Sequence, residues 1–177
     1  MRRWILVPVV LCTMISAAVA QDRPTKKSRH TPRSERHCPG DCRRHLNLTT
    51  LSMDCPFGVG KATERLKEEL RHREIPLFAV IDHEKNAREV GMTMASTQVL
   101  LFGSPKAGTP LMQKVPEFAL RLPLRIAIIG KEDGTCKLVA PKMKEEAKPY
   151  GLGDHPTVQQ MDKLLEDIMR AAVSEGK

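Results

Sequence analysis

The stretch Leu100–Met112, with the sequence LLFGSPKAGTPLM, constrains the fold of this chain more than any other segment. Its apolar start is typical of the end of a buried strand, and small residues with two prolines follow. Thr109 is a residue type that caps helices, and Pro110 suits the first helical position, where a missing N–H costs nothing. The stretch therefore predicts a strand, a tight loop and a helix that begins after Thr109.

The first 20 residues have the layout of a secretory signal peptide. A short basic start precedes an apolar run over residues 4–15, and Ala18-Val-Ala20 follows. The apolar run is shorter than the roughly 20 residues that a membrane-spanning helix needs. We expect cleavage after Ala20, a periplasmic or secreted location, and no transmembrane segment in the mature chain.

Residues 21–45 form a polar and basic segment. Residues 22–45 hold eight Lys or Arg against three Asp or Glu, whereas residues 46–177 hold nineteen against eighteen. The high pI therefore belongs to this segment, which has too few apolar residues to fold and is predicted to be a disordered linker. A basic segment attracts anionic lipid, nucleic acid or acidic proteins, and a plain solvated linker is the alternative. We expect no specific nucleic-acid partner.

The cysteines limit which disulfides the protein can form. Cys12 leaves with the leader, and the mature chain keeps Cys38, Cys42, Cys55 and Cys136. An even number in an oxidising compartment predicts up to two disulfides. Four cysteines allow three pairings, and the sequence does not choose among them. Histidines near Cys38 and Cys42 resemble a soft-metal cluster, but oxidised cysteines cannot bind a metal, so no metal site is assigned.

Residues 46–177 predict one domain in which helices and strands pack around an aliphatic core. The hydrophobic spacing predicts amphipathic helices over residues 59–73 and from residue 157 to the C-terminus, the second opened by a Thr157-x-x-Gln160 capping box. The other predicted elements are strands at 46–53, 77–81, 97–102, 125–129 and 136–140, and helical pieces near 87–90 and 142–150. The run at 77–81 is expected to be buried, and Asp133-Gly134 predicts a hairpin. The pattern is that of an α+β domain with a mainly antiparallel sheet.

Three motifs together resemble a widespread prokaryotic family known as domain of unknown function 302. They are Ile81-Asp-His83, Phe102-Gly-x-Pro-x-x-Gly-Thr-Pro-Leu-Met112 and Leu122-Pro-Leu124. The resemblance covers about residues 46–172. It implies a TATA-binding-protein-like fold, in which a curved, mainly antiparallel sheet is backed by helices in β-α-β4-α order, and it implies a homodimer.

The resemblance also maps the recurrent positions of the family onto this chain: Asp82, His83, Phe102, Gly103, Pro105, Gly108, Thr109, Pro110 and Met112. Two positions depart from the family pattern. Relatives commonly have Asn where this chain has Ser104, and an acidic residue where it has Arg121. A ligand held by either side chain in relatives would lose that contact here.

We predict a pocket between the Asp82-His83 strand end and the turn at residues 103–112, because polar residues of both stretches interrupt an aliphatic core. Lys106 and a helix N-terminus favour a small anionic or metal-bearing ligand there. The predicted ligand-binding residues are Asp82, His83, Phe102, Gly103, Ser104, Lys106, Gly108, Thr109 and Met112. The protein would then be an exported binding module, and no cofactor is identified.

Two other functions stay open. An enzyme could use His83 as a general base beside Asp82, although neighbours along a strand point to opposite faces. A structural or partner-docking protein would use the basic segment. In the plainer interpretation of the site itself, Asp82 caps the turn at residues 84–86, His83 satisfies a backbone carbonyl, and the small residues of the loop serve close packing.

Overall fold

A computed structural model describes residues 49–174 of the chain. The predictions for the leader, the basic segment, and Cys38 and Cys42 lie outside those residues. Within the described range, none of the helices combines the length and the hydropathy that crossing a bilayer requires.

The described residues form an open, five-stranded antiparallel sheet with helices. The strands are β1 (Thr50–Cys55), β2 (Leu77–Asp82), β3 (Thr97–Phe102), β4 (Leu124–Gly130) and β5 (Cys136–Pro141). Their order in the sheet is β1-β5-β4-β3-β2, and each neighbouring pair is antiparallel. The α-helices are α1 (Val59–His72), α2 (His83–Glu89), α3 (Pro105–Lys114), α4 (Met143–Ala147) and α5 (Pro156–Val173), and 3₁₀ helices span Pro116–Arg121 and Lys148–Tyr150. The predicted α+β class and antiparallel sheet are confirmed.

One face of the sheet packs against α1 and α5, which also pack on each other. On β4, Leu124, Ile126 and Ile128 are buried while the residues between them are more exposed. Leu66 of α1 and Leu165 of α5 are fully buried in the same core. Each such side chain contributes about 1.5–3 kcal/mol on burial, so this two-helix layer supplies most of the apolar stabilisation.

The prediction that the run at residues 77–81 is buried was wrong. This run is β2, the last strand in the sheet order, and it pairs with β3 on one side alone. Phe78 is 54% exposed, and Leu77 and Val80 are each 37% exposed. A continuous apolar run identifies a strand, but it does not tell a central strand from an edge strand.

The predicted helix start after Thr109 was also wrong. Helix α3 begins four residues earlier, at Pro105, and Ser104 is its N-cap residue without a side-chain capping hydrogen bond. The N–H groups of Ala107 and Gly108 donate to the Ser104 carbonyl. Proline suits the first position of a helix, and both Pro105 and Pro110 meet that condition. The sequence is therefore compatible with two helix starts, and the structure has the earlier one. Helix α3 ends at Lys114, and a 3₁₀ helix begins at Pro116.

The capping box predicted at Thr157 is absent from α5. His155 is the N-cap residue, and its Nδ1 atom accepts a hydrogen bond from the Thr157 N–H at 3.2 Å. Pro156 is the first helical residue, as the preference of proline for that position favours. The Asp133-Gly134 hairpin is confirmed: it joins β4 to β5, and Gly134 has a φ of 80°, which glycine adopts without strain.

Candidate functional site

A cavity of about 360 Å³ lies beside the central stretch. Helix α3 forms one wall with Ala107, Gly108 and Met112. The opposite walls come from Phe78 on β2, from the residues that precede β4, and from α5. The cavity is therefore bounded by α3, by the sheet with the segment before β4, and by α5.

The lining of the cavity is almost entirely apolar. Leu122 and Pro123 before β4, together with Met161 and Leu164 of α5, contribute aliphatic surface. Among the described residues that line it, none carries a charge, and the polar side chains there belong to Ser104 and Thr109. The arrangement can hold an uncharged apolar group and offer it hydroxyl groups as hydrogen-bond partners.

Of two glycines in the central motif, Gly108 is required by close packing and Gly103 is not. A Cβ atom on Gly108 would lie 3.1 Å from Cδ1 of Leu122, and one on Gly103 would lie 3.6 Å from Cε2 of Phe78. Neither glycine has a positive φ. The tight contact at Gly108 therefore agrees with the plainer interpretation, in which the small residues of the loop serve close packing.

The structure divides the predicted site residues into two groups. The first group lines the cavity: Gly103, Ser104, Gly108, Thr109 and Met112. Phe102 is fully buried in the core. The second group, Asp82, His83 and Lys106, lies outside the cavity lining. The cavity therefore includes the central turn but not the Asp82-His83 strand end.

Asp82 is engaged in holding α2 and β3. Its Oδ1 atom accepts from the Lys85 N–H at 2.9 Å, which caps α2 as the plainer interpretation predicted. Its Oδ2 atom accepts from Nε2 of Gln98 at 3.1 Å, and Oε1 of Gln98 accepts from the hydroxyl of Thr63 at 2.8 Å. The Lys85 N–H, helped by Gln98, lowers the pKa of Asp82 below its usual range because both donors favour the carboxylate.

Sequence reasoning missed Gln98 and Thr63. Thr63 on α1 is 3% exposed, and Gln98 is the direct cross-strand partner of Asp82. The register of β2 against β3 brings Asp82 to Gln98, and the packing of α1 on the sheet brings Thr63 to Gln98. A single sequence carries no reliable signal of either arrangement. His83, the first residue of α2, is exposed.

Arg121, which departs from the family pattern, is used inside the chain. Its Nη1 atom lies 3.0 Å from Oε2 of Glu146, and its guanidinium stands 5.7 Å from the centre of the Tyr150 ring. Arg125 approaches the same carboxylate at 3.8 Å. The side chain thus ties the end of the 3₁₀ helix Pro116–Arg121 to α4 and lies outside the cavity lining.

Two thiols face each other across the sheet. Cys55 of β1 and Cys136 of β5 are direct partners in the antiparallel register, and both are free and buried. The predicted disulfides are not formed between these residues here. Among residues 49–174 no group of three or more His, Cys, Asp or Glu is placed to hold a metal ion.

The face of the sheet that points away from α1 and α5 carries a row of apolar residues across three strands. Val99 of β3 pairs with Ala127 of β4, which pairs with Val139 of β5. Ile129, next on the same face of β4, is 38% exposed. We call these four residues, with Leu101, the outer sheet face. The same face also carries Arg125 and Lys137. An antiparallel sheet normally has mostly polar residues on its solvated face, so the apolar row between these charges departs from the usual pattern.

Comparison with known proteins identifies the domain. Residues 51–172 match the model of a family described as Domain of unknown function DUF302. The crystal structure of an uncharacterized conserved DUF302 protein from Bacillus stearothermophilus has the same fold, with a TM-score of 0.65. The two are 16% identical, and the match covers 71% of this chain and 98% of that one. At this identity the likeness shows the fold alone.

Curated relatives give a second, partial match. The fluoride-specific ion channel FluC 1 of Brucella suis biovar 1 is 30% identical over 88 residues, which is 50% of this chain and 34% of the relative. FluC 2 of Brucella melitensis biotype 1 is 30% identical over 88 residues, with 50% and 32% covered. The match thus spans about a third of the length of these relatives, and the channel activity in their names is a property of those proteins.

Proposed function

The chain belongs to the DUF302 family, and within that fold we propose that it is an exported binding module whose cavity holds a small, mainly apolar molecule. The observation that carries this proposal is the lining of the cavity, which is apolar apart from the hydroxyls of Ser104 and Thr109. Ligand pockets commonly enclose about 300–1,000 Å³ and combine an apolar wall with a few polar groups. At about 360 Å³ this cavity suits a molecule at the small end of that range.

The charge of the lining decides the class of ligand. The sequence favoured a small anionic or metal-bearing ligand because of Asp82, His83 and Lys106, and these residues lie outside the lining. An ion inside an apolar cavity loses its hydration without gaining a charged partner, which costs several kcal/mol. We therefore propose a neutral occupant with one hydroxyl or carbonyl group, which would pair with Ser104 or Thr109.

Thermal unfolding with matched probes tests this proposal. 1-Hexanol is the neutral apolar probe, hexanoate is its charged counterpart, and phosphate, Zn²⁺ and haem represent the anionic and metal-bearing class. Ala119 lines the cavity from an exposed position, so Ala119→Phe should fill the cavity without disturbing the core. Ala95→Phe, in the exposed loop between α2 and β3, is the matched control.

We expect 1-hexanol to raise the melting temperature of the wild type and of Ala95→Phe, and to leave Ala119→Phe unchanged. At a free concentration of 100 times Kd, a ligand adds about 2.7 kcal/mol to the free energy of unfolding, which corresponds to several degrees. Equal shifts in Ala119→Phe and the wild type would contradict the site. A larger rise in melting temperature with hexanoate, phosphate, Zn²⁺ or haem than with 1-hexanol would show instead that the ligand is anionic or metal-bearing.

The alternative functions have less support. An enzyme based on His83 needs His83, Lys106 and Thr109 around one cavity, and of these Thr109 alone lines it. A partner-docking role for the basic segment concerns residues outside the described range and stays a prediction. Binding through that segment would weaken steeply as salt rises, because its partner would be held by charge.

We also propose that the protein forms a homodimer through the outer sheet face. The apolar stripe of the final helix cannot contact a second copy, because it is buried within the protomer. Its fully buried residues are Val158, Leu165, Ile168 and Ala172. The outer sheet face supports a dimer instead, since Val99, Ala127 and Val139 form a continuous apolar row. A second copy of this face is chemically matched to it, and homodimer interfaces are typically more apolar than other surfaces.

A further inference from the structure

Cys55 is the last residue of β1, and Cys136 is the first residue of β5. They stand directly opposite each other in the register of the two strands. Opposite residues of an antiparallel pair point to the same face, with Cα atoms about 4.5–5.5 Å apart. Disulfides bridge Cα atoms about 4.4–6.8 Å apart. The two cysteines therefore meet the backbone requirement for a disulfide without movement of either strand.

We propose that Cys55 and Cys136 form an intramolecular disulfide when the chain folds in an oxidising compartment. The sequence allows three pairings of four cysteines, and the strand register selects this one. The choice leaves Cys38 and Cys42 as partners of each other. The bond would tie β1, an edge strand held by β5 alone, to the interior of the sheet.

The bond needs an oxidant, and a second disulfide supplies it. A thiolate of one cysteine attacks an external disulfide such as oxidised glutathione, and a mixed disulfide forms as one external thiol leaves. The other cysteine then attacks the mixed disulfide, and a second external thiol leaves. The two protein thiols lose two protons and two electrons in total, and the external disulfide is reduced to two thiols.

The bond should form during folding and not afterwards. Burial, followed by the neighbouring thiol of Cys55, raises the pKa of Cys136 to about 12. The thiolate is the reactive species, so almost none of it exists at neutral pH once the strands have closed. The same burial, with Cys55 2% and Cys136 0% exposed, would shield the finished bond from reductants.

Refolding tests the pairing without relying on export, so its result is independent of the proposed location and of the cavity. The full chain carrying Cys12→Ser is reduced, denatured and refolded in a mixture of reduced and oxidised glutathione. Free thiols are then alkylated, and the protein is digested with trypsin without reduction. Cleavage after Lys and Arg separates peptide 45–61, which carries Cys55, peptide 132–137, which carries Cys136, and peptide 37–43, which carries Cys38 and Cys42.

We expect peptides 45–61 and 132–137 to be joined and peptide 37–43 to be closed on itself. The variant Cys38→Ser/Cys42→Ser should keep the first link. Alkylated Cys55 and Cys136, or either one joined to peptide 37–43, would overturn the proposal.

A second measurement tests what the bond does for stability. In the Cys38→Ser/Cys42→Ser background, oxidised protein should melt about 10 °C above reduced protein, since the bond closes a long loop. The matched control adds Cys55→Ala/Cys136→Ala and should melt at the same temperature in both conditions. Equal melting temperatures for the oxidised and reduced forms of the test protein would overturn the stabilising role.

Discussion

Gly108 and Leu122 are in such close contact that a Cβ atom on Gly108 would lie 3.1 Å from Cδ1 of Leu122. Leu122 precedes β4 and lines the cavity, and Gly108 is buried in α3. The distance between α3 and the sheet is therefore fixed by the absence of a side chain at one helical position. The shape of the cavity depends on this contact.

Replacement of Gly108 should destabilise the fold. We expect Gly108→Val to lower the free energy of unfolding by about 1–3 kcal/mol, because the added carbons must displace Leu122 in a packed region. Gly103→Ala is the matched control: the nearest atom to its Cβ is 3.6 Å away, an ordinary contact, so the change should stay within about 1 kcal/mol. Urea unfolding of both variants measures this. Equal stabilities of the two variants would contradict the packing role of Gly108.

Lys106 and His83 should be dispensable for both stability and the cavity. Both side chains are exposed and lie outside the cavity lining. We expect Lys106→Ala and His83→Ala each to change the free energy of unfolding by less than about 0.5 kcal/mol, as surface substitutions usually do. The melting-temperature shift produced by 1-hexanol should stay at the wild-type value. Loss of that shift at unchanged stability in either variant would place the residue at the ligand.

Stability should fall in acid, in part through Asp82. The folded-state pKa of Asp82 is lowered, mainly by the hydrogen bond from the Lys85 N–H. The carboxylate therefore stabilises the fold at pH values above its unfolded-state pKa of about 4. That contribution is lost as the pH falls through the lowered folded-state pKa, because the unfolded chain then binds the proton more readily. Asp82→Asn keeps an oxygen acceptor for Lys85 and does not titrate.

The stability of Asp82→Asn should therefore depend less on pH between about pH 5 and 2 than that of the wild type, measured by urea unfolding. Glu132→Gln, in the exposed β4–β5 turn, is the control and should follow the wild type. Identical pH profiles for Asp82→Asn and the wild type would refute this role of the carboxylate.

The outer sheet face should control the oligomeric state. We expect the wild type to sediment as a dimer at micromolar concentration and Ala127→Lys to sediment as a monomer, because a lysine at the centre of this face would bury an unpaired charge in the interface. Leu120→Lys, on the 3₁₀ helix at a residue that is 77% exposed, is the control and should stay dimeric. A wild-type mass near that of the monomer would rule out the dimer.

Secondary structure was predictable wherever the residues of one short segment determine it. The amphipathic helix α1, the strand Thr97–Phe102 and the Asp133-Gly134 hairpin follow from hydrophobic spacing and turn preference, and the structure has all three. The family motif also marked the cavity, since Ser104, Gly108 and Met112 line it. The helix, the strand and the hairpin depend mainly on residues close together in the chain, whereas the other walls of the cavity come from distant segments.

Where two prolines or two capping residues competed, the sequence left the boundary open. Helix α3 begins at Pro105 and α5 at Pro156, each earlier than predicted, because tertiary contacts select among local alternatives of similar energy. Local preference differs by less than about 1 kcal/mol between such alternatives, and burial of an apolar side chain outweighs it.

The sequence by itself determined the antiparallel α+β class, the aliphatic core and the stretch beside which a cavity forms. Tertiary structure alone decided that β2 is an exposed edge, that Asp82 accepts a hydrogen bond from Gln98, and that Cys55 faces Cys136. Each of these depends on strand order or register, which joins residues 16 to 81 positions apart. Such pairings are selected by the sum of many contacts across the sheet, so no single segment encodes them.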